Sequence, residues 1–245
     1  MKEPNDGKAG DQEVARLRGQ LKEASALLSA IAGAAFQPSG EGSKKDAVKA
    51  FISRHAWNIH ARGEDIITMS GAGRTGALPI INRAALESLF FLAAAAMRPE
   101  YVFQKILHEI AEYKTRYAYL EDNSHQLDEA VRRELDEFEQ GVRATAQRTV
   151  TEAIAPRKCS ALDAAQQAGM EELYRMHYWG TSNTVHANIF GLQTEEDREA
   201  EDVAQDLVFC VFMQIKTGEI LNSAYCGRDD FKKRIAAING GGFTE

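Results

Sequence analysis

Arg83 and Glu87 stand four residues apart inside an otherwise apolar stretch, GRTGALPIINRAALESLFFL (residues 73–92). Charged side chains are seldom fully buried without a partner, so this spacing implies a specific polar cluster inside a core helix. Two chemistries suit it. An intrahelical ion pair closed by neighbouring helices would fix packing. Alternatively, Arg83 recognises a phosphate or carboxylate while Glu87 orients it. A second stretch, YWGTSNTVHANIFGL (residues 178–192), puts Tyr178, Ser182 and His186 at successive four-residue steps. With Glu171 and Arg175 upstream they form one stripe if the helix continues past Gly180. His186 could then meet Arg83, Glu87 or His60. No nucleophile elbow surrounds Ser182, so a Ser-His-Asp triad is not read here.

Arg54 and His60, with five residues between them, satisfy the Arg-x4–6-His pattern of HEPN ribonucleases. In such a site arginine stabilises phosphate charge and histidine serves acid–base chemistry near neutral pH. Here His55 stands next to the arginine where a polar residue is usual, and the pair lies early in the chain. His60 and Glu64 also share a helix face, which would suit a single metal ion. A di-iron bundle needs Glu-x-x-His twice, and the sequence has none, so no metal or cofactor is assigned. Gly71-Ala-Gly73-Arg-Thr-Gly76 matches GxGxxG, but the downstream residues have a helical pattern. A dinucleotide site needs a βαβ unit, so a glycine-rich link between helices is the reading preferred.

These residues need helices to hold them, and composition supplies helices. The 245 residues are 44% hydrophobic and 27% charged, with five prolines and 8% aromatics. Abundant alanine, leucine and glutamate favour helix over sheet. The net charge of −7 argues against a general nucleic-acid coat. Arg132/Arg133 and Lys232–Arg234 read as solvated helix faces. Cys159, Cys210 and Cys226 form no CxxC and suggest free thiols in a reducing compartment, with Cys159 on the surface. The polar start MKEPNDGKAGDQE lacks a leader's apolar stretch, and the run Leu89–Met97 is too short to span a bilayer. A cytoplasmic protein without a membrane partner is expected.

Helical periodicity predicts an amphipathic helix over 11–35 and a second over 46–69. The third, 78–97, is apolar nearly all round and therefore central, with Pro79 in its first turn. Residues 100–149 read as one helix or two, with a soft spot at 121–126 and a solvent-washed arm at VRRELDEFEQGVR (residues 131–143). Further helices are expected over 161–179, 199–221 and 228–238. The fold class is all-α: an up-and-down helical bundle with a long charged helical arm. As domains we expect a disordered 1–10, a single bundle over 11–239 and a flexible tail over 240–245.

RTGALPIINRAALESLFFLAAAA, with YWGTSNTVHANIFGL well downstream, resembles the domain-of-unknown-function family five-six-seven-seven, a largely bacterial set of all-helical proteins. The resemblance covers roughly residues 45–222. It implies an Arg-x-x-x-Glu helix at Arg83 and Glu87 and a Tyr/Ser/His segment at Tyr178, Ser182 and His186. Gly180 and Thr181 stand where a leucine-serine pair is common. The family is distantly similar to HEPN-type domains of toxins and antiviral defence, and it has no agreed activity.

The leading expectation is therefore a HEPN-like, metal-independent ribonuclease or nucleotide-acting defence component. Arg83 would hold phosphate, His186 would act as acid–base and Glu87 would orient one of them, with Arg54/His60 as the competing pair. The alternative is a non-catalytic module whose cluster is structural or senses an anionic ligand. A metal enzyme on His60, Glu64 and His186 ranks third. Expected partners are RNA or a nucleotide, a protein bound through the charged arm, and a second copy of the chain.

Overall fold

The computed structural model describes residues 6–36, 46–122, 129–149, 159–178 and 198–240, together with Ile154. These residues form α1 (Asp6–Ala35), α2 (Asp46–Gly71), α3 (Leu78–Met97), α4 (Glu100–Asp122) and α5 (Glu129–Thr149). Then come α6 (Ala161–Gln167), α7 (Glu171–Leu173, running on as a π-helical turn, Tyr174–Tyr178), α8 (Ala200–Leu221, running on as Asn222–Cys226) and α9 (Asp229–Gly240). The fold is all-α, and no strand occurs among the described residues. Helix α1 begins at Asp6, earlier than the periodicity places it, so residues 6–10 are helical. Ser182, His186 and the last five residues lie outside the described ones.

Helices α1, α2, α3 and α8 enclose the main core. Leu21, Leu28, Ile52, Ile59, Leu86, Leu89 and Leu207 are among its fully buried side chains. Twelve of the twenty α3 residues are buried, which is what all-round apolarity requires of a central helix. By length and hydropathy α3 resembles a membrane span, longer than its most apolar run suggests, but most of it is packed inside the bundle. Helix α1 runs antiparallel to α2, since Ser25 meets His60 while Arg18 reaches Gly71. Helix α8 runs parallel to α1: Gly10 lies against Ala200, and Gly218 against Ile31. The elements between α3 and α8 give the chain room to return in the same direction.

The glycine-rich link works as a helix stop. Gly73 adopts φ 73°, and the Arg74 amide donates to the Met69 carbonyl at 2.9 Å, capping α2 in the Schellman manner. The matching GxGxxG therefore joins two helices. Gly169, at φ 66°, breaks the expected 161–179 helix into α6 and α7. Helices α4 and α5 form the charged hairpin, closed by a small core of Phe103, Leu107, Ile110, Val142 and Ala146. Lys114 Nζ donates to Glu139 at 2.6 Å across it, and Arg143 bridges the same carboxylate. Cys159 is buried just before the Ser160 cap of α6, not on the surface; Cys210 is buried too, and all three cysteines are free thiols. Burial pushes the Cys210 thiol up to about 12.

Gln214, 1% exposed, donates through Nε2 to the Ile59 carbonyl at 2.7 Å, passing directly over Gly63. A Cβ on Gly63 would stand 2.3 Å from that nitrogen. Gly63→Ala must therefore push Gln214 aside and break a buried hydrogen bond, and should lower unfolding free energy by about 1–3 kcal/mol. Chemical denaturation measures it; an unchanged midpoint would mean that Gln214 has a second, equally good place.

Candidate functional site

Helix α3 turns Arg83 towards α7. Arg83 Nη2 donates to Tyr178 Oη at 2.9 Å, and the guanidinium carbon lies 4.5 Å from that ring's centroid. The Tyr174 ring stacks on Tyr178 at 4.6 Å, and both rings pack against Phe90 of α3. Burial holds the Tyr174 phenol above its ordinary range; Tyr178 and Glu87 push the same way, and Arg83 opposes them. Four side chains thus share one half-buried face: Arg83, Glu87, Tyr174 and Tyr178. The expected bridge from Arg83 to Glu87 along α3 does not form among the described residues; a phenol from another helix takes the guanidinium instead.

The π-helical turn explains how α7 does this. Widening the turn separates residues that an α-helix would align. Arg175 stays outside, bridging Glu171 at 2.6 Å, while Tyr178 turns inward, so the predicted stripe divides. His177 goes another way and stacks on Phe209 of α8 at 4.3 Å, where burial lowers its pKa. Sequence reasoning misses Tyr174, although its four-residue step to Tyr178 is a visible signal.

His60 faces α1. Its Nδ1 lies 2.9 Å from Ser25 Oγ, and that hydroxyl donates to Glu64 Oε1 at 2.6 Å. Ser25 is fully buried and stands between the two groups considered as metal ligands, so it stitches α1 to α2. Arg54 is exposed and lines a groove between α2, α4 and α5. Arg54 and His60 therefore serve different neighbours, and the structure does not bring this pair together.

Sequence reasoning also misses two further polar groups. His55 lies inside the Arg54–His60 pattern, which gives it no role of its own. Its ring sits 4.5 Å from Phe51 and 5.5 Å from Phe91. Burial, then Arg54 and Lys105, lowers its pKa to about 4, so it is neutral at physiological pH. The other is a buried clamp: Arg198 bridges Asp206 and also donates to the Thr75 carbonyl at 2.9 Å. Asn82 Nδ2 donates to the same carboxylate at 2.9 Å. A carboxylate within the apolar α8 pattern is the available signal.

The model of a family of unknown function, DUF5677, matches residues 49–201, more than half of the chain. The match takes in α2 to α7, and with them Arg54, His60, Arg83, Glu87 and Tyr178, but leaves out α1 and nearly all of α8. No curated protein and no solved structure matches the chain.

Proposed function

We propose that this chain, which belongs to the family of unknown function DUF5677, is a helical module that binds an anionic ligand at Arg83 without performing chemistry on it. The observation that carries this reading is the 2.9 Å hydrogen bond from Arg83 to the hydroxyl of Tyr178, across from α3 to α7. A guanidinium keeps its charge at every physiological pH, and a phenol on one N–H fixes the plane of the fork. Phosphate and carboxylate groups match that fork through two parallel hydrogen bonds. The face is half-buried, which lowers the local dielectric and strengthens the attraction. Glu87, one turn along, offers an acceptor for a hydroxyl or amino group on the ligand.

Of the two histidines expected to act as acid–base, His186 lies outside the described residues and His60 points away from Arg83. His60 faces Ser25 on α1, whereas Arg83 faces Tyr178 on α7. RNA or a nucleotide qualifies as ligand through its phosphate alone. The charged α4–α5 hairpin is the surface we assign to a protein partner, and free thiols suit a cytoplasmic protein.

Calorimetric titration with sodium phosphate and with adenosine monophosphate tests the reading. Arg83→Gln should weaken binding about tenfold or more, and Tyr178→Phe about threefold. Equal affinity in wild type and both variants would overturn it. Mixed single-stranded and transfer RNA should stay intact with wild-type protein. Cleavage that disappears in His186→Ala or His60→Ala, with helical content retained, would replace this reading with a ribonuclease.

A further inference from the structure

The α4–α5 hairpin stands off from α2 and leaves a groove of about 1280 Å³. That is ample for a small molecule, since ligand cavities commonly measure about 300–1,000 Å³. Its walls are mainly apolar and aromatic, with Phe51, Phe103 and Phe138 among them. Phe138 and Tyr113 are each 56% exposed there, two large rings on one contiguous apolar surface. Gly141 on α5 faces the same space, and a Cβ there would meet nothing within 4 Å.

The charges in the groove are unequally satisfied. Glu109 bridges Lys105 at 3.3 Å, and Glu137 lies 4.0 Å from Arg133. Arg54 lines the groove, is exposed, and has neither an ion pair nor a hydrogen bond among the described residues. Beside it His55 offers a neutral ring with two nitrogens, held at a tilt between Phe51 and Phe91.

We infer that this groove binds a small organic anion with a flat or apolar body, its anionic head on Arg54 and its body against Phe51, Tyr113 and Phe138. The site lies apart from the Arg83 face and stands on different observations. One cation at the rim of an aromatic slot selects for one charge attached to an apolar body. A fatty acid meets that description, and a nucleoside monophosphate meets it through its flat base while bringing close to two negative charges and a polar ribose.

The probes are 8-anilinonaphthalene-1-sulfonate, which combines flat rings with one sulfonate, and N-phenyl-1-naphthylamine, which has similar rings without the charge. Each is titrated fluorimetrically into the full chain. Arg54→Gln should weaken the sulfonate about tenfold and the neutral probe less than about twofold. Gly141→Phe, which fills the groove from a position with open space, should remove both signals while helical content is retained. Displacement of the sulfonate by adenosine monophosphate would identify a nucleotide, and displacement by dodecanoate a fatty acid. Sulfonate affinity unchanged in Arg54→Gln, both signals surviving in Gly141→Phe, or displacement by neither competitor would overturn the inference.

Discussion

Asp206→Ala should destabilise the protein by about 3–5 kcal/mol, because it leaves a buried guanidinium without its carboxylate. The Arg198 side chain is 3% exposed and that of Asp206 15%. Around them Thr75 offers a carbonyl and Asn82 donates an N–H, so the clamp ties the start of α8 to α3 and the link before it. The two single variants are not equivalent. Arginine has no neutral form within reach, so in Asp206→Ala the charge stays buried. Asp206 has a way out: burial raises its pKa, with Arg198 opposing, so in Arg198→Ala the carboxyl can take up a proton. Arg198→Ala should therefore be the milder change, and it should worsen as pH rises. Leucine at both positions should recover most of the loss. Guanidinium chloride unfolding measures all three. An Asp206→Ala loss below about 1 kcal/mol would show that water already reaches the pair.

Acid should weaken the fold through His55. Its folded pKa is about 4 against an ordinary 6.5, with burial as the main cause and Arg54 and Lys105 adding to it. Between those two values the unfolded chain takes up a proton and the folded chain does not. Stability from this group is therefore complete above pH 6.5 and drains away as pH falls through about 4. A shift of that size corresponds to about 3 kcal/mol, and partial exposure reduces it to about 2. His55→Phe keeps a ring between Phe51 and Phe91 and removes the titration, so its stability should change less over that range. Asp206 acts in the opposite sense, since its raised folded pKa makes stability fall as pH rises from 3.8. Subtracting the variant's curve from the wild type's isolates His55. Identical slopes would contradict the assignment.

The features legible in the sequence are those set by local pattern. All-round apolarity places α3 at the centre, α4 ends at Asp122 within the polar stretch 121–126, and the glycine-rich link is readable as a helix stop. Features set by distant register are not legible. Ser25 between His60 and Glu64 depends on how α1 slides against α2, which no single-helix pattern contains. The break at Gly169 and the π-helical turn after it are hidden in a segment that reads as one helix. That turn divides the Glu171–Arg175–Tyr178 stripe and brings Tyr174 into the cluster. Arg83 and Tyr178 both stand out in the sequence, but Arg83's bond to a phenol instead of Glu87 needs the three-dimensional packing. Ser182 and His186 lie outside the described residues.

The most direct measurement is the Nε–Hε spectrum of protein with isotope-labelled arginine during titration with sodium phosphate. The Arg83 signal, assigned by its loss in Arg83→Gln, should move along a saturating curve, and Tyr178→Phe should shift that curve to higher phosphate. A signal that stays in place while phosphate reaches saturating concentrations would contradict anion binding on the α3–α7 face.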